Sequence, residues 1–257
     1  MKHEKQNRFV TITTCFNVDP YIRMNIMMNK FQSYENALFV YIDDGSTDGT
    51  LKSLLELTKG DDRFIVIENP DNGSCGKAFM HGYNWLKAYQ IIDPEDIITE
   101  IDGDDWLAHS HVLQYLDGIY QDPEIFMSHG QYQMWPEGST GGHYNVEIND
   151  RVDMTHTHRQ HAFPFSHLRT FKAWLLDRVT QQSLIDPATG EIFSAAWDLA
   201  LCIPMVEMVG KKHIFMSPEI LYSLNRHPAL QNESSARLEE QKAAEQKIRK
   251  KPPYERI

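Results

Sequence analysis

Apolar residues in the first half of the chain fall into blocks separated by polar loops. Residues 9–15 are a short β-prone run, and 37–42, Ala-Leu-Phe-Val-Tyr-Ile, is a continuous apolar one, as expected of a strand buried on both faces. Between them, residues 19–31 carry Ile22, Ile26 and Met27 near helical spacing, and Pro20 suits a first helical turn. The rhythm then repeats, with 50–57 reading as helix, 63–67 as strand, 76–89 as helix and 96–101 as strand. Such alternation predicts an α/β domain with a mainly parallel central sheet flanked by helices, and ligands then bind outside the carboxyl ends of the strands.

Beyond Pro123 the rhythm is lost. Residues 125–135 resemble a strand and 138–150 a glycine-punctuated stretch, while 168–179 and 194–208 read as helices, with Pro204 expected to kink or restart the second. Two short β-prone runs, 213–216 and 220–223, precede a helix-prone tail, 234–251, that ends in Lys-Ile-Arg-Lys-Lys. The expected organisation is one domain over 1–232, made of a first half (1–125) and an extension of it (126–232), followed by a charged helical tail (233–257). For that tail a solvated helix packed through Leu238 and Ile248 stands beside a peripheral membrane or partner contact.

Two acidic clusters close apolar strands. In Asp43-Asp44-Gly45-Ser46-Thr47-Asp48-Gly49-Thr50 a carboxylate can accept hydrogen bonds from a base imide or a ribose hydroxyl, and Asp48 is positioned to cap the next helix. In Glu100-Ile101-Asp102-Gly103-Asp104-Asp105-Trp106, three aspartates stand within four residues. Two unit charges about 4 Å apart repel by roughly 4 kcal/mol at an effective dielectric of about 20, so a divalent cation is the natural partner. Hard oxygen ligands favour Mg2+ or Mn2+ over zinc. Asp105 alone fits a helix cap.

The order of these motifs over the first 125 or so residues resembles glycosyltransferase family 2, a group with the GT-A fold. Thr14-Cys15-Phe16-Asn17 stands at the end of the first strand, DDGSTDGT at the second, Asn72, Gly76, Ala78 and Gly82 after the third, and DGDDW at the family's DxD position. The resemblance implies a GT-A single domain whose 1–125 half binds a nucleotide-sugar and whose 126–232 half takes the acceptor. It implies that Thr14 and Asn17 line the nucleotide pocket, that Asp43 and Asp44 contact base and ribose, and that Asn72 belongs to the same site. Asp102 and Asp104 form the DxD pair, with Asp104 the direct metal ligand. Many relatives carry Arg-Asn where this chain has Phe79 and Met80, which leaves Lys77 as a candidate diphosphate contact. By the same resemblance, Arg226 or His227 closes over diphosphate and metal.

An inverting transfer needs a base for the acceptor hydroxyl. Asp198, a carboxylate in the apolar segment Ala-Ala-Trp-Asp-Leu-Ala, is the candidate, and Glu207 competes with it. Trp197 and Trp135 are candidate sugar-stacking residues. His143, His156, His158, His161 and His167 crowd a polar region, for which a metal site and an irregular surface segment both stay open.

Composition narrows the partners. A net charge of -11 argues against nucleic acid. Cys15, Cys75 and Cys202 are an odd number with no CxxC spacing, so neither a disulfide framework nor a zinc site is indicated. Without an apolar leader or a membrane-length apolar run, the expectation is a cytoplasmic protein. The expected activity is metal-dependent transfer from a nucleotide-sugar, a UDP-sugar first, to a glycan, lipid-linked, protein or small-molecule hydroxyl. A sugar-nucleotidyltransferase and a non-catalytic nucleotide-sugar or glycan-binding module are the alternatives. Gly73-Ser74-Cys75-Gly76-Lys77-Ala78 fails as a P-loop, because Asp71 stands where the first glycine is needed and Ala78 follows the lysine.

Overall fold

The apolar runs of the first half pair side by side in the computed structural model, which describes residues 6–141, 150–161, 165–227 and 235–257. β1 (Phe9–Cys15), β2 (Ala37–Asp44), β3 (Phe64–Asn69) and β4 (Ile97–Asp102) lie parallel in the order β3-β2-β1-β4. Every residue of β2 is buried, including the two aspartates at its end. The crossovers are α1 (Asp19–Lys30), α2 (Thr50–Thr58) and α3 (Cys75–Ala88). α3 approaches the sheet closely because Gly82 lacks a side chain, a Cβ there falling 2.7 Å from Ile42.

The sheet continues without a break into the second half. After β5 (Trp106–Leu107) and α4 (Val112–Tyr120) come β6 (Met127–Trp135), α5 (Asp150–Thr155), β7 (Arg169–Lys172), α6 (Ala173–Leu176), α7 (Gln181–Leu184), α8 (Trp197–Val209), β8 (Ile214–Asn225) and α9 (Ser235–Arg249). The eight strands are ordered β3-β2-β1-β4-β7-β6-β8-β5, with β7 antiparallel to both β4 and β6. One core cluster packs α3 and α8 on one face of the sheet, and a second packs α1, α2 and α4 on the other.

Several second-half elements differ from the pattern reading. Of residues 168–179 only 173–176, α6, are helical: 169–172 form β7, between β4 and β6, where both edges of its backbone find ladder partners. A weak local propensity yields to that pairing. The runs at 213–216 and 220–223 are one strand, β8, whose register slips opposite Gly130, where a Cβ would lie 2.9 Å from the Ser217 side chain. Pro204 sits inside α8 without ending it, since the helix is buried from Ala200 to Val209 and packing offsets the lost backbone bond. β5 and α4 are not among the predicted elements.

The C-terminal helix is largely solvated and packs through a narrow seam at Ala244 and Ile248. Ala244 and Ile248 of α9 are buried in the core cluster that holds α8, whereas Leu238 is exposed. Lys247 pairs with Asp186 at 2.7 Å, Arg249 with Glu245 at 2.7 Å, and Lys251 donates to the carbonyls of Gln182 and Ile185. These internal contacts engage most of the basic run that suggested a peripheral contact. Among the described residues no helix is long and apolar enough to cross a membrane.

Candidate active site

The carboxyl ends of β1, β2 and β4 open into a cavity of about 540 Å3. It is lined by residues 14–18, Asp44, Asn72, Ser74 and Cys75, by 102–105 and 224–226, and by Arg237, Leu238 and Gln241 of α9. A second cavity of about 410 Å3 adjoins it, lined by Glu100, His167, Arg169, residues 194–198 and Glu240. Both cavities share Cys75, Asp102, Asp104, Arg237 and Gln241. The DxD carboxylates therefore stand on the boundary between two compartments.

In the first compartment loop residues hold one another. Asn17 adopts φ 54°, accepts the Thr47 amide at 2.8 Å and donates its own amide to Ser46 Oγ at 3.0 Å. Thr14 Oγ1 lies 2.9 Å from Cys75 Sγ, and the Thr14 carbonyl accepts the Gly103 amide. Gly103 has no room for a side chain, with a Cβ 2.8 Å from Cys15 Sγ. Asp44 accepts the amides of Gly73 and Ser74 at 2.9 and 3.0 Å and the side chain of Asn69 at 2.9 Å, so it shapes the turn before α3. Asn72 accepts the Ser74 amide in that turn. Asp43 lies outside the lining; its Oδ2 accepts the Ser46 amide, while its buried Oδ1 has no hydrogen-bond partner among the described residues. Asp48 accepts the Thr50 amide at 2.9 Å, as expected of a cap, and also the Asp19 amide at the start of α1.

Burial and mutual repulsion set the protonation of the second acidic cluster. Burial first, and the Asp104 charge second, push the Asp102 carboxyl up to about 6. Burial raises Asp104 as well. Asp105 is not a helix cap: β5 follows it, and its buried carboxylate accepts the Tyr222 hydroxyl at 2.7 Å and the Asn225 amide at 2.6 Å. It ties β8 to the DxD turn. The pair would suit a hard cation, since Asp102 and Asp104 line the cavity and offer carboxylate oxygens. Among the described residues no three His, Cys, Asp or Glu side chains form a closed metal cage. Mg2+ sites of one or two carboxylates completed by substrate phosphates have this open form.

Asp198 lines the second cavity, in the first turn of α8, where the helix N-terminus favours a negative charge. Its surroundings are less apolar than the sequence suggested, because Arg169 donates to Oδ2 at 2.7 Å. Arg169 also donates to Glu100 at 2.9 Å, and Glu100, whose burial is the leading cause, is pushed up to about 7. Glu207 is excluded as the base: nine residues further along α8, roughly 13 Å away, it is fully buried against Arg159 and accepts the Tyr254 amide.

The remaining candidates divide. Arg226 lines the first cavity. His227 does not; its Nδ1 lies 3.1 Å from the Tyr21 hydroxyl and its ring stacks on Trp135. Lys77 lines neither cavity and pairs with Glu191 at 2.8 Å. Trp197 lines the second cavity while packing on Phe79, and Gly76 leaves it that space. Of the histidines, His143 lies outside the described residues, His156 bonds the Tyr254 carbonyl, His158 faces Asp153, and His167 lines the second cavity. Arg169, Glu100, Cys75, Arg237 and Glu240 were not sequence candidates. Glu100 was detectable, because strand alternation sets it on the same face as Asp102.

With this geometry in hand, the comparisons are direct. The family model for glycosyl transferase family 2 matches residues 11–182, and the chain belongs to that family. An uncharacterized glycosyltransferase of Haemophilus influenzae is 30% identical over 121 residues, which is 47% of this chain and 45% of that protein. The glycosyltransferase GlyA of Streptococcus pneumoniae is 27% identical over 41% of this chain and 14% of its own length. The matches thus span less than half of each of these relatives. Among solved structures, S. aureus TarS 1-349 in complex with UDP superposes with a TM-score of 0.64 at 17% identity, covering 86% of this chain and 61% of that one. Glucosyl-3-phosphoglycerate synthase from Mycobacterium tuberculosis, in complex with Mn2+, UDP and glucosyl-3-phosphoglycerate, gives 0.57 at 16%, covering 94% and 77%. These likenesses establish the GT-A fold: one α/β domain with a sheet whose first four strands are parallel. Asp198 and Arg226 lie beyond the matched segment.

Proposed function

We propose that the protein transfers a sugar from a nucleoside diphosphate, a UDP-sugar first, to a hydroxyl acceptor in one inverting displacement assisted by Mn2+ or Mg2+. The observation that carries this reading is the pair of adjoining cavities, with Asp102 and Asp104 shared between them and Asp198 lining the second alone. TarS in complex with UDP and with UDP-GlcNAc, and a Pyrobaculum calidifontis mannosyltransferase in complex with GDP-Man and Mn2+, support the donor class and the cation.

In this reading residues 1–125 form the donor half and 126–232 the acceptor half, and α9 contributes to both. Thr14, Asn17 and Asn72, which line the first cavity, meet the nucleoside, while Asp43 lies outside the lining and acts through the Ser46 amide it holds. Asp44 acts through the turn it holds. Asp102 and Asp104 hold the cation, which when bound neutralises charge on the leaving diphosphate. Arg226 and Arg237 line the donor cavity and supply the positive charge that the sequence assigned to Lys77. The acceptor enters the second cavity and gives its hydroxyl proton to Asp198. Its oxygen forms the new bond to the anomeric carbon while the bond to the diphosphate breaks with its electron pair. Attack from the side opposite the leaving group inverts that carbon.

The test is a thermal-shift and nucleotide-release screen of UDP-glucose, UDP-galactose, UDP-GlcNAc and GDP-mannose, with and without Mn2+. Binding stabilises the fold by RT ln(1 + [L]/Kd). A chain that neither shifts with nor turns over any donor is not a transferase of this class.

A pH dependence follows from the raised carboxyl of Asp102. Its folded value, about 6, exceeds the unfolded value of about 4, so the folded state binds more protons between them. The cation-free protein is expected to lose stability as pH rises through that window. Mn2+ competes with the proton, so its affinity should hold above pH 7 and fall by about tenfold per pH unit below 6. Isothermal titration at pH 7.5, 6 and 5 measures this, and a flat affinity removes Asp102 from the ligand set.

A further inference from the structure

Donor activation and proton removal must be held in register, yet their groups come from different elements. The DxD pair follows β4, and Asp198 belongs to α8. The side chain that bridges these elements is Arg169. It lies on β7 directly opposite Glu100 of β4, in antiparallel register. Its Nη1 donates to Glu100 Oε2 at 2.9 Å and its Nη2 to Asp198 Oδ2 at 2.7 Å. Nε donates to the Phe165 carbonyl at 3.3 Å, and the side chain is 9% exposed. A planar fork fixed at three corners orients its partners in a way that a flexible ammonium does not.

The two carboxylates have different surroundings. The Glu100 side chain is 5% exposed, whereas Asp198 is 24% exposed and lines the cavity. Only Oδ2 of Asp198 is engaged. Oδ1 has no hydrogen-bond partner among the described residues, so the contact fixes one oxygen and leaves the other for an acceptor. Glu100 is two residues before Asp102 on the same strand face, which ties the guanidinium to the strand that ends in the DxD pair.

We propose that Arg169, anchored by Glu100, is a positioning residue that aims Asp198 at the acceptor hydroxyl and sets its distance from the DxD pair. This rests on the assignment of Asp198 as the base, so the test separates the two. Four chains are compared with a responding nucleotide-sugar of the panel above and Mn2+: native, Asp198→Asn, Arg169→Gln and the double variant. Donor affinity, KM, kcat and melting temperature are measured for each. Arg169→Gln is expected to lower kcat by about 100-fold with donor affinity and KM for the donor nearly unchanged. The double variant should be no slower than Asp198→Asn, because both substitutions remove one function. Arg169→Lys should recover part of kcat. Losses that multiply in the double variant, or an unchanged kcat in Arg169→Gln beside an inactive Asp198→Asn, overturn the positioning role. A fully active Asp198→Asn overturns the base assignment instead. If Arg169→Gln does not fold, Glu100→Gln and Arg169→Lys carry the same comparison, with a smaller loss of kcat that is again absent on the Asp198→Asn background.

Discussion

Asp104→Asn is expected to reduce turnover by about 1000-fold or more while leaving the fold intact. Asp104 stands on the boundary of both cavities, and its backbone is held independently of its carboxylate, through the Asn225 side chain on the Asp104 carbonyl at 3.0 Å. Removing its charge therefore changes the ligand set and not the turn. It also relieves the repulsion that, after burial, raises Asp102. The variant should melt no lower than the native chain without metal, and should lose the stabilisation that Mn2+ and donor together confer. Measuring melting temperature and nucleotide release on one preparation separates these effects. An Asp104→Asn chain that keeps native turnover with Mn2+ would remove the DxD pair from the mechanism.

The second large effect is expected at Asp198. Asp198→Asn should lower kcat by about 100- to 10,000-fold, with donor affinity nearly unchanged, because the side chain lines the second cavity and not the first. The amide is nearly isosteric and still accepts from Arg169 through its oxygen, so the local structure should persist. What it lacks is a basic oxygen for the acceptor proton. A variant that loses donor binding in proportion to turnover would place Asp198 with the donor instead.

Both predictions concern residues visible in the sequence, and the reason is local. A strand buried on both faces must be apolar, so carboxylates at its end stand out, and strand geometry sends them to the edge where crossovers open a crevice. Asp43, Asp44, Asp102 and Asp104 are legible on those grounds. Their division of labour is only partly so: Asp44 and Asp105 look alike in sequence to residues that meet a ligand, yet both bond backbone amides. Helix 19–30 and the crossovers after β2 and β3 were legible because 3.6-residue spacing and turn residues are local features.

The acceptor side was less accessible. β7 reads as helix from its own residues and becomes a strand because β4 and β6 offer it hydrogen-bond partners contributed from 42 to 75 positions away in the chain. Its Arg169 carries no pattern of its own, and only the pairing across from Glu100 reveals it. The C-terminal helix was predicted as a solvated element, but not its place beside the cavities. Burial of Ala244 and Ile248 against the core cluster that holds α8 sets Arg237 and Gln241 in the lining of both cavities and Glu240 in that of the second. Strand, crossover and strand-end acid are set by interactions among near neighbours in the chain, so the amino-acid order alone declares them. Which arginines line the first cavity and which group holds Asp198 depend on contacts between distant segments, and those are decided when the sheet closes and α8 and α9 pack against it.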